Sequence, residues 1–212
     1  MLRDGALRLL GGLALTLLLL GCSATGPIPV GYSRATVLIE HAKGHGSGTI
    51  VGPDTVLTAY HVVQQGPLDV RFFNGPVRDG NVIWHDEELD LALVEVDVPD
   101  GYPAVKFSCG ELKAGEYLIS VGHPTQSRWV AVGGYLPATY RIGSGGLVPL
   151  GFPVGLGTSG GPVFDPSGRI AGVTLAILAE RESASAAYDR YKDTGIGLML
   201  PAEDFCDALR RR

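Results

Sequence analysis

Long apolar runs, basic clusters and cysteines are all scarce in this chain of 212 residues, and each scarcity removes a class of function. The uncharged apolar run Leu9 to Leu20 spans only 12 residues, whereas a membrane-spanning helix takes about 20. Behind Arg3 and Arg8 it has the length of a signal-peptide core. Charged residues make up 18% of the chain, the formal net charge is −5, and the one basic run is Arg210-Arg211-Arg212. That balance argues against a nucleic-acid partner. Only three cysteines occur, Cys22, Cys109 and Cys206. Of the histidines, His41 and His45 flank a glycine-rich turn, His85 falls in the polar stretch Trp84-His85-Asp86-Glu87-Glu88, and His123 precedes Pro124. None lies near a cysteine pair, so no metal is assigned and no cofactor is implied.

What the chain has in quantity is glycine, 31 residues, within an otherwise ordinary globular composition that is 45% hydrophobic. A chain of this length buries one sizeable core or two small ones. High glycine with many short β-rich segments points to an all-β barrel architecture. Strands are expected over 35–40, 48–51, 56–58, 70–73 and 90–96, and again over 116–121, 129–132, 162–164, 170–176 and 197–200.

One hexapeptide carries the chemistry, Gly157-Thr158-Ser159-Gly160-Gly161-Pro162. Its glycines tolerate φ values that other residues reject, so the Gly157 and Ser159 N–H groups can converge on the side of the Ser159 hydroxyl, as an oxyanion site requires. A serine hydroxyl is a weak nucleophile that needs a general base and a group to orient that base. His61 closes the apolar run Val56-Leu57-Thr58-Ala59-Tyr60-His61. Twenty-nine residues later Asp90 opens the aliphatic stretch Asp90-Leu91-Ala92-Leu93-Val94, and Ser159 follows after another 69.

In that order the three motifs resemble the signatures of chymotrypsin-like serine proteases, with spacing similar to the bacterial HtrA branch. Gly46-Ser47-Gly48-Thr49-Ile50-Val51 resembles the strand preceding the histidine in that branch. Thr194-Gly195-Ile196-Gly197-Leu198-Met199-Leu200-Pro201 resembles its last barrel strand. The resemblance covers about residues 35 to 209. It implies two six-stranded antiparallel β-barrels, about 32–105 and 110–200, with a short C-terminal helix opened by Pro201. It also implies a catalytic triad of His61, Asp90 and Ser159, an oxyanion hole of Gly157 and Ser159 N–H groups, and protein or peptide substrates. The position six before the serine, at the pocket base in this fold, is Pro153, and the pocket wall would be Leu175, Ala176 and Ile177 beside Thr174. With no acidic residue in 148–158, a buried lysine or arginine would go uncompensated, so small or medium apolar residues are expected at the cleaved position. Where the digestive enzymes carry an aspartate that pairs with a freed N-terminus, this chain carries Thr158, so no proteolytic zymogen switch is expected. No peptide-binding module is expected after the barrels. The branch is often trimeric, and an oligomer is left open. The segment 180–193 reads as a long insertion before the last strand, a candidate regulatory or substrate-gating loop.

The N-terminal run ends in Leu19-Leu20-Gly21-Cys22, which resembles the bacterial lipobox. That resemblance implies a lipoprotein signal peptide over 1–21, lipidation of Cys22, a proline-rich tether over 22–31 and a protease domain over 32–212. Ser23 after the cysteine favours the periplasmic face of the outer membrane. The alternatives are an ordinary signal peptide with an incidental cysteine, or a short membrane anchor. In such a compartment disulfides persist, but the sequence leaves open whether Cys109 and Cys206 pair or remain two buried thiols. Two other functions fit the motifs less well. One is a catalytically silent trypsin-fold lipoprotein acting as a binding or assembly scaffold, and the other is an esterase, which would more often set its serine in a Gly-x-Ser-x-Gly elbow.

Overall fold

A computed structural model describes residues 30–181 and 191–211, and within them the chain forms two antiparallel β-barrels. A short helix α1 (Val30–Ala35) leads in, followed by β1 (Thr36–His41), β2 (Gly44–Ile50), β3 (Thr55–Ala59), the single-turn helix α2 (Tyr60–Val63), β4 (Leu68–Arg71), β5 (Val77–Asp86) and β6 (Leu91–Glu95). These strands close into a barrel in the order β1-β2-β3-β6-β5-β4, with β4 pairing back onto β1. β3 and β6 read as continuous aliphatic runs because both of their faces are covered: Val56, Leu57, Leu91 and Val94 have no exposed surface. Each such side chain contributes about 2 kcal/mol by leaving water.

The second barrel comprises β7 (Tyr117–Gly122), β8 (Val130–Tyr135), β9 (Val148–Pro153), β10 (Pro162–Phe164), β11 (Ile170–Arg181) and β12 (Tyr191–Pro201), in the order β8-β7-β10-β11-β12-β9. Its edge strands β8 and β9 approach closely without pairing, so this barrel is nearly closed; a Cβ at Gly134 of β8 would lie 2.8 Å from the Phe152 ring of β9. Leu118, Leu136, Val148, Leu150, Phe152, Val163 and Met199 fill it. A larger apolar cluster begins in the first barrel and crosses the seam to Val121, Phe164, Ile170, Val173 and Leu175 of the second. The two halves therefore share one core and present a seam, not a hinge.

The C-terminal helix α3 (Ala202–Arg210) starts directly after Pro201, with Glu203 and Asp204 in its first turn. Arg141 pairs with both carboxylates, and Glu203 also accepts the Leu112 N–H at 3.1 Å. Phe205 is fully buried edge-on against Phe107, and Cys206 is joined to Cys109 by a disulfide, which resolves the pairing that the sequence left open. The bridge ties the helix to the connection between the barrels, across a sequence separation of 97 residues.

Several expectations are corrected. β5 and β9 fall where the sequence suggested no strand, and Trp84, His85 and Asp86 belong to β5 instead of a polar loop. α1 begins at Val30, inside the stretch read as tether, and its Tyr32 stacks on Phe164 with ring centroids 4.5 Å apart. The ends of the supposed insertion 180–193 are strand: Ala179, Glu180 and Arg181 pair with Asp193, Lys192 and Tyr191. The centre of that insertion, together with Cys22, the signal peptide and most of the tether, lies outside the described residues.

Candidate active site

α2 is a single turn set at the end of β3, and its position is fixed by one residue of β6's approach. The Asp90 carbonyl accepts the Tyr60 N–H at 3.0 Å, its Oδ1 accepts the His61 N–H at 2.9 Å, and its Oδ2 lies 2.6 Å from His61 Nδ1. To make all three contacts Asp90 takes a left-handed backbone with φ of 53°, a conformation that aspartate tolerates better than most residues. The carboxylate therefore holds both the backbone and the ring of His61, and the ring's Nε2 is left facing away from it. Both side chains are partly exposed, at 43% and 34%. Tyr60 adds a lateral contact by stacking on His85, with centroids 4.2 Å apart.

The hexapeptide is clamped to the first barrel. The Ser47 N–H of β2 donates to the Ser159 carbonyl at 2.8 Å, while on the other side Gly160 N–H donates to Thr174 O at 2.7 Å and Thr174 N–H returns to Gly161 O at 2.9 Å. Gly160 has φ of 81°, and a Cβ there would lie 2.2 Å from Thr58 Oγ1 and 2.3 Å from the Ser47 carbonyl. Only glycine fits that close approach. Gly46 stands between Val62, the neighbour of His61, and the Ser159 carbonyl, with a Cβ there falling 2.6 Å from Val62 and 3.1 Å from that oxygen. The structure thus brings the serine against the turn that carries the histidine.

The Ser159 hydroxyl donates to the Leu175 carbonyl at 3.4 Å, and among the described residues it makes no hydrogen bond to His61. Nor do the Gly157 and Ser159 N–H groups donate to any protein acceptor among the described residues. Gly157 has φ of 99°. Thr158, buried to 5% exposure, turns its hydroxyl and its N–H onto the Gly155 carbonyl, so this side chain closes a local turn and reaches no charged partner.

Of the residues expected to shape the substrate pocket, Leu175 reaches Ser159 through its carbonyl, and Ala176 and Ile177 continue along β11 half-buried. Pro153 is exposed on β9. It borders an apolar cavity of about 90 Å³ with Ser120, Val130, Val132 and Thr158, and a shallower one of about 390 Å³ with Tyr140 and Ile196. Residues 175–177 line neither.

Sequence reasoning missed three residues that surround the hexapeptide. His45 Nε2 lies 2.8 Å from the His123 carbonyl, Ser47 Oγ lies 2.9 Å from His123 Nδ1, and the Ser47 hydroxyl donates to the Gly157 carbonyl at 2.8 Å. His41 and His45 had been read only as flanks of a turn, and His123 only as a residue before proline. The available signal was Ser47 itself, a polar residue at a buried position between two glycines.

The family model for a trypsin-like peptidase domain matches residues 46–173. Among curated proteins, the chain is 29% identical over 177 residues to a DegP-like periplasmic serine endoprotease of Rhizobium meliloti, a match covering 79% of this chain and 33% of that protein. It is 28% identical to serine protease HTRA1A of Danio rerio, covering 71% of this chain and 36% of the relative. It is 25% identical to the periplasmic pH-dependent serine endoprotease DegQ of Escherichia coli, covering 76% and 35%. The chain therefore spans about a third of the length of these relatives. Solved structures with the same fold include the serine endoprotease from Yersinia pestis, with a TM-score of 0.69, 19% identity and coverage of 85% of this chain and 63% of that one. The Rv3671c protease in an inactive form matches with a TM-score of 0.70, 22% identity and coverage of 87% and 92%.

The burial of His123 has a consequence for stability. The side chain has no exposed surface, and burial, then the nearby His45 and Arg128, push its pKa from 6.5 down to about 3. The unfolded chain binds this proton near pH 6.5 and the folded chain does not, so the site's stabilisation is full above that pH and is lost as pH falls from 6.5 toward 3. The slope contributed is about 1.4 kcal/mol per pH unit at most. Denaturant midpoints measured from pH 7 to pH 4 should fall more steeply in the wild type than in His123→Asn; identical slopes would contradict the assignment.

Proposed function

Because the chain belongs to the trypsin-like peptidase domain family, we propose that it is a serine endopeptidase of the bacterial cell envelope that cleaves proteins or peptides through His61, Asp90 and Ser159. The observation that carries this reading is the double grip of Asp90 on His61, at 2.9 Å to its N–H and 2.6 Å to Nδ1, beside a serine set in a glycine-walled turn. With its Nδ1 held by Asp90, the His61 imidazole carries its lone pair on Nε2. In the reacting state the Ser159 hydroxyl leaves the Leu175 carbonyl and gives its proton to that nitrogen as its oxygen attacks the substrate carbonyl. Asp90 then stabilises the imidazolium, and the Gly157 and Ser159 N–H groups receive the developing oxyanion. His61 returns the proton to the leaving amine, and water hydrolyses the acyl-enzyme by the same steps in reverse roles. The Leu175 carbonyl, freed of the hydroxyl, becomes available to the substrate backbone.

The preference is for small or medium apolar residues at the cleaved position. The cavity bordered by Pro153 and Thr158 is also lined by Val130, Val132 and Val154, and Pro153 to Ser159 contains no acidic side chain to compensate the charge of a lysine or arginine. The envelope location is supported by the periplasmic relatives and by the short apolar leader. No helix among the described residues is long and apolar enough to cross a membrane, and attachment is assigned to acyl chains on Cys22. At about 0.8 kcal/mol per buried methylene, several such chains hold a protein on a membrane durably. The silent-scaffold reading draws on one observation, the Ser159 hydroxyl turned toward Leu175, although catalytic hydrogen bonds are often unmade in a free enzyme.

Three measurements follow from this reading. The protein should be labelled by a fluorophosphonate probe and should cleave casein, with both lost in Ser159→Ala and casein cleavage reduced by about 10³–10⁴-fold in Asp90→Asn; a wild-type chain that resists the probe would favour the scaffold. In a peptide panel, alanine, valine or leucine at the cleaved position should be processed fastest, and an arginine peptide in first place would refute the pocket assignment. Palmitate should be incorporated in a bacterial host and lost in Cys22→Ala, and retention of label in that variant would sink the anchor.

A further inference from the structure

A buried cluster packed against the first residue of the hexapeptide has no part in the reaction scheme above. It consists of Ser47 from β2, His45 two residues before it, and His123 just after β7. Ser47 and His123 are fully buried, and all three converge on Gly157.

The tautomer of His123 follows from the single hydrogen on Ser47. The Gly157 carbonyl can only accept, so the Ser47 hydroxyl hydrogen goes to it, at 2.8 Å. The two lone pairs of Ser47 Oγ are then filled by the His123 N–H at 3.2 Å and by Nδ1, 2.9 Å away, which must carry its proton. Ser47 is fully saturated, with one bond donated and two accepted. His123 is therefore a neutral ring with Nδ1 protonated. Its Nε2 is a bare acceptor with no hydrogen-bond partner among the described residues, and the ring meets Trp129 edge-on at 4.8 Å.

The consequence reaches the oxyanion side of the turn. The peptide between Gly157 and Thr158 is held at both ends: Ser47 binds its carbonyl, and the Gly155 carbonyl accepts its N–H at 3.1 Å. The space beside Gly157 is occupied as well, since a Cβ there would lie 2.4 Å from the His123 carbonyl and 2.4 Å from His45 Nε2. His45 in turn bonds that carbonyl at 2.8 Å. The Gly157 N–H belongs to the preceding peptide, whose Leu156 carbonyl accepts the Thr125 N–H at 2.6 Å. With the following peptide held by Ser47 and both flanks filled, the φ of 99° between the two peptides is fixed, and the Gly157 N–H is left without a protein acceptor among the described residues.

We propose that His123 is a positioning residue for the oxyanion site: acting through the Ser47 hydroxyl, its Nδ1–H holds the Gly157 carbonyl inward and so keeps the Gly157 N–H available to the reacting carbonyl. This deepens, and rests on, the reading of Ser159 as nucleophile. It also supplies a source of order for the turn in a chain where Thr158 offers no charge to a freed N-terminus. Neither His123 nor Ser47 touches substrate. Their contribution should therefore appear in the rate of the covalent step and not in binding.

The test uses the full chain and the saturable kinetics of fluorophosphonate labelling, with the denaturant midpoint measured on every variant. His123→Leu removes the donor while keeping an apolar side chain of similar bulk, and Ser47→Ala removes the relay. His123→Asn places an amide nitrogen on the same Cγ branch as Nδ1 and can donate to Ser47. The maximal labelling rate should fall about 10- to 100-fold in His123→Leu and Ser47→Ala, somewhat less than deletion of an oxyanion donor usually costs, with the half-saturating probe concentration changed less than about threefold. His123→Asn should recover to within about threefold of wild type. A His123→Leu variant that labels at the wild-type rate overturns the proposal, as does an Asn variant no faster than the Leu variant, or a loss confined to probe affinity. Failure of the wild-type chain to label, or labelling that persists in Ser159→Ala, overturns the nucleophile reading itself and the proposal with it.

Discussion

The attachment of the hexapeptide to strand β2 is the constraint on which the rest of the site depends. Ser47 makes it with two of its atoms, and a third ties it to the neighbouring strand β3. Its N–H holds the Ser159 carbonyl, its carbonyl accepts the Thr58 hydroxyl at 2.6 Å, and its side chain holds the Gly157 carbonyl. One residue of the first barrel thus fixes the turn of the second barrel on both sides of the Ser159 side chain. Thr58 lies on the strand that runs directly into α2 and His61, so the same residue also couples the two halves of the candidate triad. A shared apolar core across the seam keeps this register from sliding.

Seen from that seam, the glycines and the disulfide have distinct tasks. Gly157 and Gly160 have positive φ, and their missing side chains make room for His45, His123, Thr58 and the backbone of β2. The Cys109–Cys206 bridge acts on the far side, fastening α3 to the connection between the barrels. A covalent tie there limits how far the barrels can separate and so protects a site built from both. The C-terminal helix is further held by Arg141, whose guanidinium serves Glu203 and Asp204 together.

Much of this was legible in the sequence where local pattern and chemistry agree. β3 and β6 are continuous aliphatic runs, and each is bounded by a polar residue with a role, so both their strand character and the candidacy of His61 and Asp90 could be read together. β5 and β9 could not. β5 carries Arg78, Asp79, Gly80 and Asn81 because one of its faces is open to solvent, and β9 carries Pro149, Gly151 and Pro153 because it is an edge strand with few ladder bonds to donate. Their strand state comes from their neighbours in the barrel and not from their own residues. The Cys109–Cys206 pairing was illegible for a related reason, since only the return of α3 to the interbarrel connection brings the two residues together. The roles of His45 and His123 were hidden because both depend on a third residue, Ser47, that lies far from His123 in the chain.

On this reading the hexapeptide takes its active shape from packing against the first barrel and needs no liberated N-terminus. The most direct test is the fluorophosphonate labelling rate of the intact chain, compared with that of the same protein after cleavage within residues 30–35. Equal labelling per molecule before and after the cut is the predicted result. Labelling that appears only once the chain has been cut there would contradict the claim.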